Sequence, residues 1–252
     1  AHEPGILSGI EEVVYITEKR TNLKVTRIIK DGAPVKKNQL LVELSGKPLE
    51  ILSYERVILN IISRMSGIAT ATDHLIKKNS LKTALAATRK TLWGLLDKKA
   101  VAIGGGLTHR LSLSDEILIK DNHIDIMTKN LHLTRIESLK NILIFIKNRR
   151  VKRPFEIEVE TEEEAYFLNN FYQKINIVSP LIIMLDNFEP KIAFRTIKTV
   201  KQQRNISPVI FELSGGISDS NIKDYDLVGA DVISLGSLTH SSKALDISLS
   251  LL

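Results

Sequence analysis

Apolar positions change their rhythm along this chain. From residue 82 onward, short runs that are apolar almost throughout alternate with segments whose apolar positions recur every three or four residues. The runs are Thr83–Ala87, Ile117–Ile119, Phe155–Val159, Leu181–Leu185, Val209–Leu213 and Asp231–Leu235. Near-continuous apolar character predicts strands buried on both faces. The segments between them predict helices over roughly Thr134–Asn148, Thr161–Phe171, Glu189–Gln203 and Ser218–Leu227. Repeated β-α units of this kind predict a parallel sheet covered by helices. A β/α barrel is the first expectation and an open doubly wound sheet the second. Earlier, Val57, Ile58, Ile61, Ile62, Met65 and Ile68 fall at helical spacing and predict a helix over Tyr54–Lys78, with Gly67 weakening its middle. Residues 11–50 read as short strands at Glu11–Thr17, Lys24–Ile29 and Gln39–Leu44, with a turn at Asp31-Gly32.

The chain has 252 residues and is 43% hydrophobic, enough for one large domain or one large and one small. A net charge of +6 and a pI near 9.3 suit anionic substrates but are weak ground for nucleic acid. The basic run Lys147–Arg153 reads as a solvated helix end and loop, so no nucleic-acid partner is expected. The absence of cysteine excludes disulfides, a thiol nucleophile and cysteine metal sites, and makes the cytoplasm the default compartment. No apolar run approaches the ~20 residues of a membrane span, so no membrane partner is expected. No signal peptide is visible. Residue 1 is alanine rather than methionine, and the numbered chain is read as lacking an original N-terminus.

The chemistry collects where the apolar runs end. Thr83–Ala87 leads into Thr88-Arg89-Lys90, and Ile117–Ile119 into Lys120-Asp121-Asn122-His123. Phe155–Val159 carries Glu156 and Glu158 and is followed by Glu160; the later runs lead into Asp186-Asn187, Ser214-Gly215-Gly216 and Gly236-Ser237. In a parallel barrel all these ends open on one face, where active sites sit. One polar loop after a strand is ordinary, but its recurrence after every run points to a site with cations on one side and carboxylates on the other. Cations there, with His109 and Arg110 beside the Gly104–Gly106 triplet, suit a small, highly charged anion.

Alternate residues of a strand share a face, so Glu156, Glu158 and Glu160 point the same way if extended. Such a face repels itself unless cations or a metal meet it. The alternative is that this face is solvated and that Ile157 and Val159 form the buried side. Gly215-Gly216 before a helix suits a phosphate, and Gly236-Ser237 repeats the arrangement after the last strand. Each pair alone reads equally well as a simple turn. The triple glycine does not fit the dinucleotide fingerprint; close backbone approach before His109-Arg110 explains it better. His2, His74 and His132 read as surface residues and His240 as intermediate. No spacing gives a closed zinc site. Trp93 is open to two readings, core packing or a lid.

Taken together and in order, Glu55–Asn60, Ser66–Thr70, Thr88–Thr91, Gly104–Gly106 with His109-Arg110, Ile119–His123, Glu156–Val159, Leu185–Asn187, Ser214–Gly216 and Gly236–His240 resemble the quinolinate phosphoribosyltransferase family. The resemblance runs from about Pro4 to the C-terminus. It implies an α/β chain with an incomplete parallel β/α barrel over 58–238 and a smaller α/β sandwich over 1–57 with 239–252, the type II phosphoribosyltransferase arrangement. It implies a homodimer with shared active sites, in which Arg56 reaches the partner's site; a higher oligomer is left open. The implied reaction joins quinolinate and phosphoribosyl pyrophosphate to give nicotinate mononucleotide, pyrophosphate and CO2, with Mg²⁺. Arg89, Lys90, His109, Arg110 and Lys120 match positions that hold quinolinate. Lys120, Glu158 and Asp186 are the implied catalytic residues, Glu158 and Asp186 also handling the metal. Ser214, Gly215, Gly216, Gly236 and Ser237 match phosphate-binding loops.

The residue types suit that chemistry. Two adjacent carboxylates on a pyridine need several fixed cations, and arginine pairs with carboxylates bidentately. Pyrophosphate departure calls for Mg²⁺, which prefers oxygen ligands, and carboxylates stabilise positive charge at the anomeric carbon. Two departures from the family pattern stand out. Leu92-Trp93-Gly94-Leu95-Leu96 replaces the usual Pro-Gly-Leu-Arg phrase and is about two residues shorter, and family members usually carry several dozen more N-terminal residues. The shortened loop motivates a second reading, a sister enzyme acting on another aromatic carboxylate. A non-catalytic anion-binding homologue is a third, disfavoured by intact Lys120, Glu158 and Asp186.

Overall fold

A computed structural model describes residues 1–203 and 207–251, so Leu252, the last residue of the expected small domain, lies outside the described residues. The chain divides into two compact units, the first comprising Ala1–Ser80, Ala86–Leu111 and Gly236–Leu252, the second Leu81–Leu85 and Ser112–Leu235. The first unit contains the segments expected in the small domain, 1–57 with 239–252, together with residues 58–80, 86–111 and 236–238.

In the first unit, β1 (Gly5–Ile6) pairs antiparallel with β3 (Pro34–Val35), and β2 (Lys24–Ile28) with β4 (Val42–Ser45). Between them lies α1 (Ile10–Arg20), over residues expected to form a strand. The run Val13-Val14-Tyr15-Ile16-Thr17 is rich in strand-favouring residues, but the buried positions are Ile10, Val13 and Thr17, which is helical spacing. Glu11 and Glu12 in the first turn and Lys19 and Arg20 in the last complement the helix dipole.

The helix α2 (Pro48–Asn79) contains the one expected over Tyr54–Lys78. It starts with Pro at its first turn, where the missing N–H costs nothing. Ile58 and Ile62 join Leu7, Ile10, Val13, Val35, Leu41 and Leu245 in one core cluster. Leu245 brings in the C-terminal tail, held by His2 N–H to Asp246 O at 2.8 Å and Leu245 N–H to Ser63 O at 2.8 Å. Gly67 is where the tail crosses α2: a Cβ there would lie 2.1 Å from Lys243 O. A second helix unforeseen in the sequence, α3 (Leu95–Ile103), ends at Gly104, whose absent Cβ would lie 2.4 Å from Ala69 O of α2. The short α9 (Ser237–His240) completes the unit.

The second unit contains β6 (Ile117–Ile119), α4 (Asp121–Leu131), α5 (Arg135–Asn148), β7 (Phe155–Val159), α6 (Glu162–Ile175), β8 (Leu181–Asp186), α7 (Pro190–Gln202), β9 (Val209–Ser214), α8 (Ile222–Asp226) and β10 (Val232–Ser234). It also takes in the start of β5 (Ala84–Ala86). The six-stranded sheet has the order β5-β10-β9-β8-β7-β6, and the pairs from β6 to β10 are parallel. From β6 to β10 each strand lies beside its neighbour in sequence, and β5 lies beside β10. That is the cyclic order of a β/α barrel left open between β5 and β6, and it excludes the reversing order of a doubly wound sheet. Every residue of β7 is buried, so both faces of this strand are covered. Thr134 and Glu137 form a capping box at the start of α5, and Thr161 caps α6. Among the described residues no helix is long and apolar enough to cross a membrane.

Gly67→Ala is expected to destabilise the protein by about 1–3 kcal/mol, since overpacking against the tail outweighs alanine's better helix propensity. The urea unfolding midpoint measures this; an unchanged midpoint would mean that the tail does not rest on Gly67.

Candidate active site

In the second unit, the sheet brings together the residues expected at its strand ends. Glu158 is 9% exposed on β7, and burial, followed by the charges of Asp186 and Asp121, pushes its carboxyl up to about 7 against the opposing pull of Lys120. Lys120 ends β6 and is exposed. Its backbone N–H donates to His123 Nδ1 at 2.9 Å, which occupies that histidine in starting α4. Asp186 ends β8 and accepts from Asn187 Nδ2 at 2.6 Å. Glu158 therefore feels the charges of Asp186, Asp121 and Lys120. Asp121 is an addition to the expected set, standing beside Lys120 in the same phrase.

The three aligned glutamates divide. Glu156 is 0% exposed and Glu158 is 9% exposed, so the solvated-face alternative fails for both. Glu160 lies past the end of β7, is exposed, and pairs with Arg135 Nη2 at 3.1 Å. Glu212 on β9, not singled out in the sequence, is 2% exposed, with a carboxylate oxygen within 4.8 Å of one from Glu156.

Ser214 ends β9, and its carbonyl accepts from the Asn187 N–H at 2.9 Å. Gly215 follows at φ 83° and Gly216 at φ 63°, and a Cβ on Gly215 would lie 2.3 Å from Asn187 Oδ1. Glycine is required there by both conformation and space. The helix expected directly behind this pair starts only at Ile222 and has 5 residues, so the loop's N–H groups, not a helix dipole, are what it offers an anion.

In the first unit, the expected cations sit on two loops. Arg89 and Lys90 are exposed after β5, and the Lys90 N–H donates to Thr88 Oγ1 at 3.1 Å. His109 and Arg110 follow the triple glycine, half-buried; His109 has φ 54°, and its Nδ1 accepts from the Arg110 N–H at 2.8 Å. The Ala87 N–H bonds Leu107 O at 2.9 Å, tying the glycine segment to the end of β5. Gly236 has an ordinary helical φ of −67°, and its value is space: a Cβ would lie 3.0 Å from His240 Nε2 and 3.3 Å from Lys90 Cδ. His240 thus stands with Gly236 and Lys90, and Ser237 is exposed beside them. Arg56 projects from α2 with its side chain 81% exposed, 3.4 Å from Glu55. Trp93 is 37% exposed rather than packed in the core, with the Arg64 guanidinium 5.5 Å over its ring.

A parallel sheet in cyclic strand order, with carboxylates and a lysine at its strand ends and a glycine turn beside them, defines a β/α-barrel protein with a charged site at one edge of the sheet. Residues 68–250 match the model of the quinolinate phosphoribosyl transferase C-terminal domain, and residues 1–66 that of its N-terminal domain. The chain is 37% identical to a protein of Archaeoglobus fulgidus named "Probable nicotinate-nucleotide pyrophosphorylase [carboxylating]", over 98% of this chain and 91% of that protein. It is 33% identical to the nicotinate-nucleotide pyrophosphorylase [carboxylating] of Mycobacterium leprae, over 99% of this chain and 84% of that one. The solved structure of the nicotinate-nucleotide pyrophosphorylase from Francisella tularensis superposes with a TM-score of 0.79 at 32% identity, covering 97% of this chain and 81% of that one. This chain belongs to the quinolinate phosphoribosyltransferase family.

The raised carboxyl of Glu158 has a sign that can be checked. A carboxyl held above its usual value of 4.5 favours folding while protonated, and that advantage is lost as pH rises through about 7. In metal-free buffer, Glu158→Gln is therefore expected to be more stable than the parent at pH 8, by of order 2 kcal/mol, with the difference closing as pH falls toward 4.5. Thermal melts across that range test it, and a constant gap would mean that Glu158 carries no such burden.

Proposed function

We propose that this protein transfers the phosphoribosyl group of phosphoribosyl pyrophosphate to quinolinate, releasing pyrophosphate and CO2 and leaving nicotinate mononucleotide, a step of NAD biosynthesis. The observation that carries this reading is the buried carboxyl of Glu158 within reach of the charges of Asp186, Asp121 and Lys120 at one edge of the sheet, in a chain of this family. Arg89, Lys90, His109 and Arg110, with Lys120, take the two adjacent carboxylates of quinolinate. Ser214, Gly215, Gly216, Gly236 and Ser237 take the 5′-phosphate. In a homodimer, exposed Arg56 serves the partner's site. The setting is the cytoplasm.

The carboxylates fit Mg²⁺. Glu158 is disfavoured as an anion by burial and by two neighbouring aspartates, and a divalent cation held by Glu158 and Asp186 removes that penalty. When bound, Mg²⁺ neutralises charge on the departing pyrophosphate. The chain's own groups do the rest. Ionised Glu158 and Asp186 face the positive charge that develops at the anomeric carbon. The cations hold the dicarboxylate without overbinding it, because the carboxylate that leaves must not be more tightly paired than the state it leaves through. N-ribosylation then gives the ring a positive nitrogen that stabilises the in-plane electron pair left on the adjacent carbon as CO2 departs, and a proton taken up there replaces the lost carboxylate.

One observation favours a second reading. The Leu92–Leu96 loop departs from the family phrase close in sequence to Arg89 and Lys90, so a sister enzyme acting on another aromatic carboxylate is the alternative. Competition by nicotinate and other pyridine carboxylates separates the two.

The decisive assay follows nicotinate mononucleotide and CO2 from quinolinate and phosphoribosyl pyrophosphate, with and without Mg²⁺. Both products are expected, and only with the metal. Lys120→Ala is expected to lower turnover by roughly 1,000-fold while the circular dichroism spectrum is kept. Asp186→Ala should raise the Mg²⁺ concentration needed for half-maximal rate. Near-normal turnover in folded Lys120→Ala would sink the assignment.

A further inference from the structure

Two consecutive side chains of α3 do more than pack the helix. Asp97 is 0% exposed. Its carboxylate accepts from Arg64 Nε at 2.8 Å and Nη2 at 2.7 Å, from the Thr91 hydroxyl, and from the N–H groups of Leu92 and Trp93, each at 3.1 Å. Lys98 is 2% exposed, and its ammonium donates to Thr108 O at 2.5 Å and to Arg110 O at 2.7 Å. One side chain grips the stretch that directly follows Arg89-Lys90. The other grips the carbonyls on either side of His109.

Both grips act where the backbone would otherwise drift. His109 has φ 54°, a conformation that side chains with a Cβ rarely adopt and that persists only where surroundings impose it. The Lys98 ammonium meets the carbonyls before and after it. The Arg89-Lys90 stretch is tied again from the other side: Arg64 Nη2 donates to Thr239 O at 2.9 Å, and Thr239 Oγ1 donates to Lys90 O at 2.7 Å. Burying an ammonium and a carboxylate is costly, and a helix that needed only packing would be served by leucine or methionine. What these groups supply, and apolar ones cannot, is several hydrogen bonds of fixed direction to main chain.

We infer that Asp97 and Lys98 are positioning residues for binding of the substrate's two carboxylates: Asp97 sets the backbone that presents Arg89 and Lys90, and Lys98 sets the backbone that presents His109 and Arg110. The inference rests on the proposed assignment of those four side chains to quinolinate. A cation held in place before the ligand arrives binds more tightly than one that must be ordered by it.

The test uses the full chain with two variants: Lys98→Met, which keeps the volume and removes the donors, and Asp97→Asn, which keeps the shape and removes the charge. Each is titrated calorimetrically with quinolinate and, separately, with phosphoribosyl pyrophosphate in Mg²⁺, and steady-state kinetics are recorded. The expected result is a rise of roughly tenfold or more in the quinolinate Kd, with KM for quinolinate moving more than kcat and the phosphoribosyl pyrophosphate Kd within about twofold of the parent's. Asp97→Glu, which restores the charge, should recover part of the loss. Unchanged quinolinate affinity in either folded variant overturns the inference for that residue. An equal loss for both ligands, or failure of both variants to fold, assigns the pair to the scaffold and overturns it as well. A parent protein that binds no quinolinate defeats the proposed function itself, a result distinct from any of these.

Discussion

A parallel sheet sends every strand's C-terminal end to the same edge, and the chemistry of the second unit depends on that constraint. Register makes it concrete. Glu158 on β7 stands level with Met184 on β8 and Glu212 on β9, while Asp186 stands level with Ser214. Carboxylates far apart in sequence are thus placed on neighbouring strands, and burial and like charge act on them together. The raised carboxyl of Glu158 is the physical trace. Apolar strands such as Leu181–Leu185 and a fully buried β7 supply the hydrophobic stabilisation that lets the sheet carry this burden. A site that disfavours its own anions is ready for a cation, which is how a structural penalty becomes binding capacity.

The first unit meets the opposite difficulty. Its cations sit on loops, where side chains are mobile unless something rigid holds the backbone. Here the rigid parts are α2 and α3, joined through Gly104 where the α3 end meets Ala69 O, and through the Arg64–Asp97 pair. As a contribution to stability a buried ion pair is close to neutral. As a device for fixing geometry it is strong, since the carboxylate also gathers the Thr91 hydroxyl and two backbone N–H groups. Conformation in this unit is specified by polar bonds inside an apolar setting, whereas in the second unit it is specified by the sheet.

This difference also explains what could be read in advance. The strands of the parallel sheet were legible because burial on both faces leaves an unbroken apolar run, and all six expected runs overlap observed strands. Strand ends then located Lys120, Glu158 and Asp186. The helix α1 was misread because its β-branched residues satisfy strand propensity while its buried positions follow helical spacing, and tertiary burial decides between the two. The helices α3 and α4 escaped because each begins inside a stretch read for its chemistry: α4 starts at Asp121, directly after Lys120, and α3 has 9 residues behind Gly94. With α3 unseen, Asp97 and Lys98 had no helix to be placed on, and charged residues in an unassigned segment look solvated. Glu212 was hidden likewise, as one polar letter in an apolar strand.

The loop that departs from the family phrase shows how its shape is determined. Gly94 has φ 56° and ψ −118°, yet a Cβ there would meet nothing within 4 Å, so conformation alone demands glycine. Three residues on, Asp97 closes the turn by accepting from main-chain N–H groups, not from the side chains of Leu92 and Trp93. Those two positions therefore keep their tethers with any side chain but proline, which has no N–H to donate, while Thr91, Gly94 and Asp97 do not have that freedom. A loop built this way keeps its definition through main-chain bonds and tolerates a range of side chains at positions 92 and 93. Its fixed points are the carboxylate and the glycine, and its variable points are the side chains that follow Arg89 and Lys90.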